Sequence, residues 1–299
     1  MKILVTGGAG FIGSHLVDRL LKEGAKVLVL DDFSMGKHEN LPKDNSNLVI
    51  FGGSVLDENV GFLFQGVNTV FHLAALTRPR ESLIKPFETN KVNVEGTLKT
   101  LMYAKENEVK KFIFVSSASA YGYQKLYPFD ERYPLNPASP YALTKSIGEQ
   151  YCELFRNLYK MKINIVRPFN VYGKRQDPDS PYAAAVPNFI KSLKKGIKPY
   201  ITGDGKQFRD FVYVKDVVDL LVTLSKTNLD GETFNVGSGT HTTISALYET
   251  LCGIMKKKVE PEYILPVNDP NTMAGVAKAE SILGWKPKYS LIDGLLKTI

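Results

Sequence analysis

Short apolar runs alternate with longer segments of helical periodicity through the first half of the chain. Lys2–Thr6 is the first apolar run, and in residues 11–23 the apolar side chains recur three and four positions apart. The first pattern predicts a buried strand and the second an amphipathic helix. The same patterns predict strands at 26–31, 48–51, 69–73, 111–116 and 163–167, and long helices at 86–107 and 139–160.

This alternation predicts the α/β class, with a doubly wound parallel sheet of the Rossmann type covered by helices on both faces. The second half of the chain is less regular, because proline and glycine recur there and mark loops and short elements. It predicts a smaller α/β region with helices at 183–195, 214–226 and 243–257. Two short strands, at 211–214 and 233–236, are expected to rejoin the main sheet.

The composition of the 299 residues is that of an ordinary globular protein, with 43% apolar and 23% charged residues. Because no apolar run approaches the ~20 residues that span a bilayer and no signal-like segment opens the chain, we expect a cytoplasmic protein without a membrane segment. The two cysteines, Cys152 and Cys252, form no CxxC motif, and there are only 4 histidines. We therefore expect no metal site and two small apolar side chains in helices.

The net charge of +7 raises the question of a nucleic-acid partner. Only 8 of the 38 basic residues are arginine, and the lysines are scattered apart from a cluster at 256–258. That cluster falls at the end of a predicted helix, where it complements the helix dipole. The pattern favours a solvated lysine-rich surface, with at most a weak attraction for anionic substrates, and no nucleic-acid binding.

A glycine-rich turn joins the first predicted strand to the first predicted helix. Gly8, Gly10 and Gly13 satisfy G-x-G-x-x-G, and Gly7 begins an overlapping G-x-x-G-x-x-G. Glycine is needed for the tight turn, for backbone approach to a pyrophosphate and for close helix packing, and the helix N-terminus offers N–H groups to phosphates. Glycines alone are compatible with an ordinary turn, but their place between a strand and a helix favours a dinucleotide.

Asp31 ends the second predicted strand, 18 residues after Gly13. A carboxylate at this place accepts hydrogen bonds from both ribose hydroxyls of the adenosine half and repels a 2′-phosphate. No arginine lies near it in the sequence, and Lys37 is the only nearby cation. The sequence therefore favours NAD over NADP.

Two Y-x-x-x-K pairs occur, Tyr121/Lys125 and Tyr141/Lys145. Because the chain has many tyrosines and lysines, about 1.5 such matches are expected by chance, so the spacing alone carries little information. Tyr121 falls in a predicted loop, where this spacing does not place two side chains together. Tyr141 follows Ser139 and a proline, an N-cap and first-turn pair, so Tyr141 and Lys145 are predicted to share one helix face.

This pair could act as a general base. A lysine charge beside a phenol favours the phenolate, so we expect Lys145 to lower the pKa of Tyr141 from ~10 towards neutrality. The helix N-terminus acts in the same direction. The alternative interpretation is an exposed helix start in which the lysine has no catalytic role.

Three serines, Ser116, Ser117 and Ser119, follow the predicted strand at 111–116. The carboxyl end of a parallel strand faces the ligand crevice. A hydroxyl there can bond both the reacting oxygen of a substrate and the tyrosine. Capping of the strand end is the alternative interpretation.

These motifs, with others in the same order, resemble the extended short-chain dehydrogenase/reductases and, among them, the UDP-sugar 4-epimerases. The resemblance extends over the whole chain and is more specific for the superfamily than for the substrate. Residues 173–178 and 182–187 look most like those of epimerases that act on UDP-N-acetylhexosamines. The motifs that carry the resemblance lie at 7–13, 31–32, 72–75, 93–97, 116–122, 139–145, 167–173, 203–205, 209–216 and 283–287.

The resemblance implies a reaction and its residues. Tyr141 is the implied base, Lys145 binds the nicotinamide ribose and tunes Tyr141, and Ser117 completes the catalytic set. Tyr141 takes the proton of the sugar 4-OH while the C4 hydride passes to NAD, and hydride returns to the other face of the 4-keto sugar. A UDP-hexose is thereby inverted at C4, with glucose, N-acetylglucosamine and their uronic acids left open as the sugar.

The resemblance also implies two sets of binding residues. NAD is expected to contact the glycine turn and the ends of several strands, through Gly7, Gly10, Phe11, Ile12, Gly13, Asp31, Asp32, Phe33, Ser34, Gly36, Ser54, Val55, Leu73, Ala74, Ala75, Thr77, Asn93, Ser116, Lys145, Pro168 and Phe169. The UDP-sugar is expected to contact Ser117, Ser119, Tyr141, Asn170, Ala185, Val186, Tyr200, Thr202, Arg209 and Thr272. Arg209 suits a diphosphate because a guanidinium pairs two phosphate oxygens at once.

The chain departs from the family pattern at four places. The segment 264–270 has no arginine, where the family usually carries Arg-x-Gly-Asp. Ser54 replaces the usual aspartate for adenine, and Thr202 replaces a frequent aromatic residue, with Tyr200 as a substitute. Thr272 stands where a bulky residue often narrows the sugar pocket, so it would leave room for an N-acetyl group.

Three other functions stay open at this point. Dehydratases and decarboxylases of the family carry acidic residues just after the catalytic hydroxyl, where this chain has Ala118 and Ser119, which cannot transfer that proton. A simple NAD-linked dehydrogenase leaves Asn170 and Arg209 unexplained. A non-catalytic NAD-binding sensor has no need of the Tyr–Lys pair.

Residues 1–168, rejoined by 211–240, are thus expected to form the NAD-binding domain, and 169–299 mainly the nucleotide-sugar-binding domain. By analogy with the family we expect a homodimer in which the helices predicted at 86–107 and 139–160 pack against their copies.

Overall fold

The computed structural model describes residues 1–179, 183–265 and 271–299. Its strands are β1 (Lys2–Thr6), β2 (Lys26–Asp31), β3 (Leu48–Gly52), β4 (Thr69–His72), β5 (Lys111–Val115), β6 (Ile163–Pro168), β7 (Asn170–Tyr172), β8 (Tyr200–Thr202), β9 (Phe208–Arg209), β10 (Phe211–Tyr213), β11 (Thr233–Val236), β12 (Thr242–Thr243) and β13 (Glu262–Ile264). A seven-stranded parallel sheet has the order β11-β6-β5-β4-β1-β2-β3. This is the strand order of a doubly wound α/β fold, so the predicted fold class is confirmed.

The longest helix begins at the place that its cap indicates. At the start of the longest helix the Ser139 hydroxyl accepts the Ala142 N–H at 3.2 Å, and Pro140 is the first helical residue. Within the described residues no helix combines the length and the apolar character that a membrane crossing requires. The helices are α1 (Phe11–Lys22), α2 (Pro79–Ile84), α3 (Pro86–Asn90), α4 (Gly96–Glu106), α5 (Pro140–Tyr159), α6 (Ala185–Lys195), α7 (Val214–Lys226), α8 (Ile244–Met255), α9 (Ala277–Leu283) and α10 (Leu291–Thr298).

The central strands are buried along their length. Val5 of β1 lies opposite Val29 of β2 and Phe71 of β4 in the register of the sheet. All three side chains are fully buried. Both faces of the sheet are therefore covered, which explains why these strands read as continuous apolar runs. Because the strands are parallel, their carboxyl ends meet at one edge.

One expectation for the second half of the chain is wrong. The strand predicted at 211–214 does not rejoin the main sheet, since Phe211–Tyr213 pairs in parallel with Asn170–Tyr172 in a separate two-stranded sheet. The chain enters α7 directly at Val214, and the edge beside β6 is taken by β11. The strand predicted at 233–236 is confirmed.

The helix predicted at 86–107 is helical throughout but is not one regular α-helix. A π-helical turn, Lys91–Glu95, separates α3 from α4. Such turns hold an extra residue and occur frequently at functional sites. Asn93 lies in this turn, and its side chain is 2% exposed.

The chain divides into two compact units. Unit 1 comprises Met1–Gly122, Pro134–Pro168 and Val218–Phe234, and it contains most of the main sheet. Unit 2 comprises Tyr123–Tyr133, Phe169–Val217 and Asn235–Ile299. Within unit 2, two-stranded sheets pair β10 with β7, β12 with β9 and β13 with β8.

Gly122 closes the turn that follows the serines after β5. Its φ is +59°, and a Cβ there would lie 1.6 Å from the Asn136 carbonyl oxygen. We expect Gly122→Ala to lower the free energy of unfolding by about 3 kcal/mol, through strain and overlap together. Gly66→Ala is the matched control, because Gly66 has φ +66° with no atom within 4 Å of a Cβ, and its cost is about 1 kcal/mol. Equal losses in urea unfolding would show that the close approach does not fix this turn.

Candidate active site

The glycine turn between β1 and α1 has the backbone that its sequence requires. Gly7 has φ +70°, and a Cβ at Gly13 would lie 2.1 Å from the Gly7 carbonyl oxygen. The Ser14 N–H donates to the Gly10 carbonyl at 3.0 Å, so the N–H groups before Ser14 fall outside the helix ladder. A Cβ at Gly10 would meet only the Gly7 oxygen within 4 Å. This bare helix N-terminus suits a phosphate group.

Asp31 lies beside this turn at the end of β2. Its Oδ2 accepts the Ala9 N–H at 2.8 Å, and its Oδ1 accepts the Phe33 N–H at 2.9 Å. A Cβ at Gly36 would lie 2.8 Å from Oδ1, so glycine allows the chain to pass close to the carboxylate. Burial raises the pKa of Asp31, and the backbone N–H donors oppose this. The carboxylate is thus held next to the glycine turn, with lone pairs left for further donors.

The loop after Asp31 is ordered by its own side chains. The Asp32 carboxylate accepts the Ser34 N–H at 2.9 Å and the Ser34 hydroxyl at 2.6 Å. The Phe33 ring stacks on His38 with 3.6 Å between the ring centroids. The residues predicted for the adenosine end of the cofactor are therefore neighbours in space.

A buried histidine fixes the loop after β4, which was predicted to line the cofactor. His72 Nδ1 lies 2.7 Å from Thr6 Oγ1, and Nε2 lies 3.0 Å from Thr97 Oγ1. Thr6 Oγ1 also accepts the Ala74 N–H at 3.3 Å. Burial lowers the pKa of His72 to about 3, so the imidazole is neutral. The sequence motif at 72–75 contains His72, but its spacing gave no sign of this role.

Asn93 joins this loop to α5. Its Oδ1 accepts the Leu76 N–H at 2.8 Å, and its Nδ2 donates to the Leu76 carbonyl at 3.0 Å and to Thr144 Oγ1 at 3.0 Å. Asn93 was predicted to line the cofactor directly. Its carboxamide also positions protein groups on both sides, one of them Thr144, which is adjacent to Lys145.

The structure brings the predicted catalytic tyrosine and serine together. The Ser117 side chain interacts with the Tyr141 phenol and opposes the rise in the pKa of Tyr141 that burial causes. Ser117 Oγ also accepts the Ser119 N–H at 3.1 Å, and the Tyr141 N–H donates to Ser82 Oγ at 3.1 Å. Tyr141 is only 6% exposed. The Ser117 hydroxyl is therefore held at the carboxyl end of β5, and the Tyr141 ring is buried at the start of α5.

Lys145 lies one turn further along α5, where it was expected to lower the pKa of Tyr141. Its Nζ donates to the Val115 carbonyl at 2.8 Å and lies 5.1 Å from the centroid of the Phe114 ring. Burial lowers the pKa of Lys145 to about 8. Burial also raises the pKa of Tyr141, against the opposing effect of the Ser117 hydrogen bond. The expected lowering of the Tyr141 pKa is therefore wrong, because desolvation outweighs the effect of Ser117.

The other Y-x-x-x-K pair has a structural role, as its predicted place in a loop indicated. Tyr121 lies in a 3-10 turn, Ala118–Tyr121, and is fully buried. Its hydroxyl accepts a hydrogen bond from Arg167 Nη1 at 2.7 Å. Tyr121 and Lys125 therefore do not share a helix face.

A buried ion pair that no sequence motif indicated lies close to these residues. Glu149 and Arg167 form a salt bridge of 2.6 Å in which both side chains are 7% exposed. The Ser116 hydroxyl, predicted to contact the cofactor, donates to the Glu149 carboxylate. The spacing of four residues from Lys145 to Glu149 could have indicated that both lie on one face of α5.

Two residues predicted to bind the substrate meet in unit 2. Asn170 Nδ2 lies 3.2 Å from Thr272 Oγ1 and 3.2 Å from the Asp210 carbonyl. The buried Asp210 carboxylate, which was not among the predicted site residues, accepts the N–H groups of Ser238 and Ala274 at 2.6 and 3.0 Å. Asp210 thereby holds three chain segments together around Asn170.

Arg209 is 6% exposed, and its Nη1 donates to the Phe208 carbonyl at 2.7 Å. Thr202, which was also predicted to contact the UDP-sugar, pairs with Ile264 in the register of β8 and β13. Tyr200 at the start of the same strand is 57% exposed.

The remaining predicted residues lie at element ends. Ser54 Oγ accepts the Leu56 N–H at 3.2 Å, and Val55 is buried. The Phe169 N–H, next to Pro168, donates to the Val236 carbonyl at 2.9 Å. Ala185 begins α6 and Val186 is buried within it, while Thr77 lies in the loop between β4 and α2. Tyr182 and the arginine-free positions 266–270 lie outside the described residues.

Comparison with known proteins identifies the family to which this chain belongs. The model of the NAD dependent epimerase/dehydratase family matches residues 3–237. The UDP-glucose 4-epimerase of Mycolicibacterium smegmatis is 40% identical over 306 residues, which cover 100% of this chain and 97% of that protein.

Two solved structures of 4-epimerases are also similar to this chain over nearly its whole length. The UDP-glucose 4-epimerase of Thermotoga maritima, solved with UDP-glucose, has a TM-score of 0.95 at 40% identity and covers 100% of this chain and 97% of its own. The UDP-N-acetylglucosamine 4-epimerase of Methanobrevibacter ruminantium, in complex with UDP-N-acetylmuramic acid, has a TM-score of 0.96 at 34% identity, with 99% and 96% of the two chains covered.

Proposed function

Because the chain belongs to the NAD-dependent epimerase/dehydratase family, we propose that it is a 4-epimerase that inverts C4 of a UDP-hexose through a transient 4-keto sugar. The observation that carries the proposal is the contact between the Tyr141 phenol and the Ser117 hydroxyl, with buried Lys145 one helical turn away. The relatives named as UDP-sugar 4-epimerases support the reaction and the nucleotide.

Unit 1 fits NAD at both ends of the cofactor. The bare N-terminus of α1 suits the pyrophosphate, and the fixed Asp31 carboxylate suits the ribose hydroxyls of the adenosine half. A negative charge at Asp31 disfavours the 2′-phosphate of NADP. At the other end, Lys145 Nζ is a buried donor suited to the hydroxyls of the nicotinamide ribose.

The chain's own residues then perform the proton chemistry. Bound NAD supplies the acceptor and later the donor of the hydride at sugar C4. Tyr141 removes the proton of the 4-OH and returns one to the same oxygen after the sugar has turned over. Ser117 donates a hydrogen bond that favours the phenolate, and the Lys145 ammonium stabilises negative charge in the same buried place.

Unit 2 is proposed to hold the nucleotide and to set the choice of sugar. Arg209 is suited to the diphosphate, since a guanidinium pairs two phosphate oxygens. Thr272 is a small residue bonded to Asn170, and a small side chain at this position is compatible with an N-acetyl group as well as with a hydroxyl. We therefore propose UDP-glucose/UDP-galactose and the corresponding N-acetylhexosamine pair as substrates.

The residues after Ser117 argue against the dehydratase reaction of the same family. Elimination of the sugar 6-OH needs an acid and a base near C5 and C6. Ala118 and Ser119 follow Ser117 in the 3-10 turn, and neither side chain can exchange a proton in this way. A simple 4-epimerisation needs no such pair.

A product analysis tests the proposed function. The purified protein, supplied with NAD, is incubated separately with UDP-glucose and UDP-N-acetylglucosamine, and the products are identified by proton NMR. We expect UDP-galactose, UDP-N-acetylgalactosamine or both. A 4-keto-6-deoxy sugar or no conversion of either substrate would contradict the proposal.

A homodimer is the proposed assembly, formed through α3 and α5 of unit 1. These helices carry exposed apolar side chains, with Phe87 at 89%, Leu158 at 60% and Leu143 at 49%. Apolar side chains that cluster on a surface are typical of protein interfaces. Pairing of two copies would remove them from water.

Substitution at this surface tests the dimer. We expect Phe87→Glu to give a monomer by size-exclusion chromatography with light scattering, because a charge would be buried at the interface. Phe62→Glu is the control, since Phe62 is 53% exposed elsewhere in unit 1, and it should remain a dimer. A monomeric unsubstituted protein, or a Phe87→Glu variant that is still dimeric, would rule out this interface.

A further inference from the structure

The buried ion pair of Glu149 and Arg167 lies between the structural elements that carry the catalytic groups. Glu149 is on α5, four residues after Lys145 and eight after Tyr141, so all three lie along one face of the helix. Arg167 is near the carboxyl end of β6, which pairs with β5. The pair therefore links α5 to the sheet edge where Ser117 begins its turn.

Both oxygens of the Glu149 carboxylate accept hydrogen bonds. Its Oε1 accepts the Arg167 Nε–H at 2.9 Å and the Ser116 hydroxyl, and its Oε2 accepts Arg167 Nη2 at 2.6 Å. Two parallel N–H···O bonds of this kind fix both the distance and the plane of the partners. Ser116 immediately precedes Ser117. By holding Ser116, the ion pair therefore fixes the chain at the residue before the catalytic serine.

Arg167 holds the other end of the same turn. Its Nη1 donates to the Tyr121 hydroxyl at 2.7 Å, and its guanidinium carbon lies 4.6 Å from the centroid of the Tyr121 ring. The turn between Ser116 and Tyr121 is thus anchored at both ends by one ion pair. Ser117 Oγ, within it, contacts Tyr141.

We propose that Glu149 and Arg167 are positioning residues of the catalytic site: they fix the turn that presents Ser117 to Tyr141, and the Glu149 carboxylate supports the charge of Lys145. The inference rests on the proposed function for its kinetic consequences only. A buried ion pair adds little to net stability, because desolvation offsets most of the attraction. Stability alone therefore does not explain its place beside the catalytic groups.

The electrostatics agree with this role. Burial lowers the pKa of Lys145, and the Glu149 carboxylate acts in the opposite direction. Burial disfavours the charged form of Arg167, but Glu149 raises the pKa of Arg167, so this side chain remains a cation. Without the carboxylate, Lys145 would lose its proton at a lower pH.

Glu149→Gln tests the proposal with almost no change in shape. We expect kcat for the UDP-sugar to fall about 10–100-fold, because a small displacement of the catalytic hydroxyl is costly. KM should change by less than about threefold, since Glu149 touches no substrate in the proposed mechanism. The alkaline limb of the kcat–pH profile should move to lower pH. In calorimetric titrations, NAD binding should likewise begin to weaken at a lower pH.

Conservative variants separate positioning from simple packing. Glu149→Asp keeps the charge, so its alkaline limb should stay near that of the unsubstituted protein even where kcat falls. Glu153→Gln changes an exposed glutamate one turn further along α5 and should leave both measurements unchanged. Tyr121→Phe removes only the hydroxyl that Arg167 holds and should lower kcat about three- to tenfold.

The outcomes are distinguishable. A folded Glu149→Gln variant with kcat within about threefold of normal and an unshifted alkaline limb overturns the inference. If that variant does not fold, Tyr121→Phe decides, and an unchanged kcat overturns the inference. A protein that converts no UDP-sugar but shows the shifted pH dependence of NAD binding in Glu149→Gln contradicts the proposed function and leaves the inference standing.

Discussion

Tyr141→Phe is expected to lower kcat for epimerisation of UDP-glucose by about 10²–10⁴-fold, the range that a positioned general base contributes. The substitution removes only the phenolic oxygen, and the ring stays buried at the start of α5. Ser117 loses its partner, and the substrate 4-OH loses the group that takes its proton. NAD should bind as before, because the phenol is not among the groups proposed to hold the cofactor.

Initial rates and calorimetric NAD titrations measure this pair of effects. Tyr159→Phe is the matched control, since Tyr159 ends the same helix and is 45% exposed. It should leave kcat unchanged. A Tyr141→Phe variant with more than about a tenth of the normal kcat would show that another group takes the proton.

Lys145→Met is expected to lower kcat about 10²–10³-fold and to weaken NAD binding, because it removes a buried charge that serves both. Methionine keeps much of the length and apolar character of the lysine stem, so packing beside Phe114 is retained. The loss is therefore one of charge and of a hydrogen-bond donor, which in the structure bonds the Val115 carbonyl.

The pH dependence gives this prediction a second measurement. Burial lowers the pKa of Lys145 to about 8, so the activity of the unsubstituted protein should fall as pH rises through that value. In Lys145→Met this alkaline limb should be absent from the kcat–pH profile. Lys105→Met, on the exposed surface of α4, should keep it. An alkaline limb that persists in Lys145→Met would assign it to another group.

The parts of the site that depend on local sequence could be predicted before the structure was known. The glycine turn is one, because glycine spacing between a strand and a helix has few structural solutions. The start of α5 is another, since Ser139 caps the helix and so places Tyr141 and Lys145 one turn apart. In both cases the residues that decide the geometry are close in the chain.

The parts that depend on tertiary packing could not be predicted. Glu149 and Arg167 lie 18 residues apart, and only the position of α5 against β6 brings them together. The partner of Phe211–Tyr213 was predicted wrongly for the same reason, since strand pairing between distant segments leaves no local signal. The pKa of Tyr141 depends on how deeply the side chain is buried, and a helical spacing says nothing about burial.

The fate of the hydrogen on C4 tests the central claim most directly. UDP-glucose labelled with deuterium at C4 is converted in ordinary water, and the product is analysed by NMR and mass spectrometry while absorbance at 340 nm is followed. The account predicts UDP-galactose that keeps its deuterium at C4, without net formation of NADH, because Tyr141 moves only the proton on oxygen. Loss of the deuterium to solvent, or NADH formed in proportion to product, would contradict it.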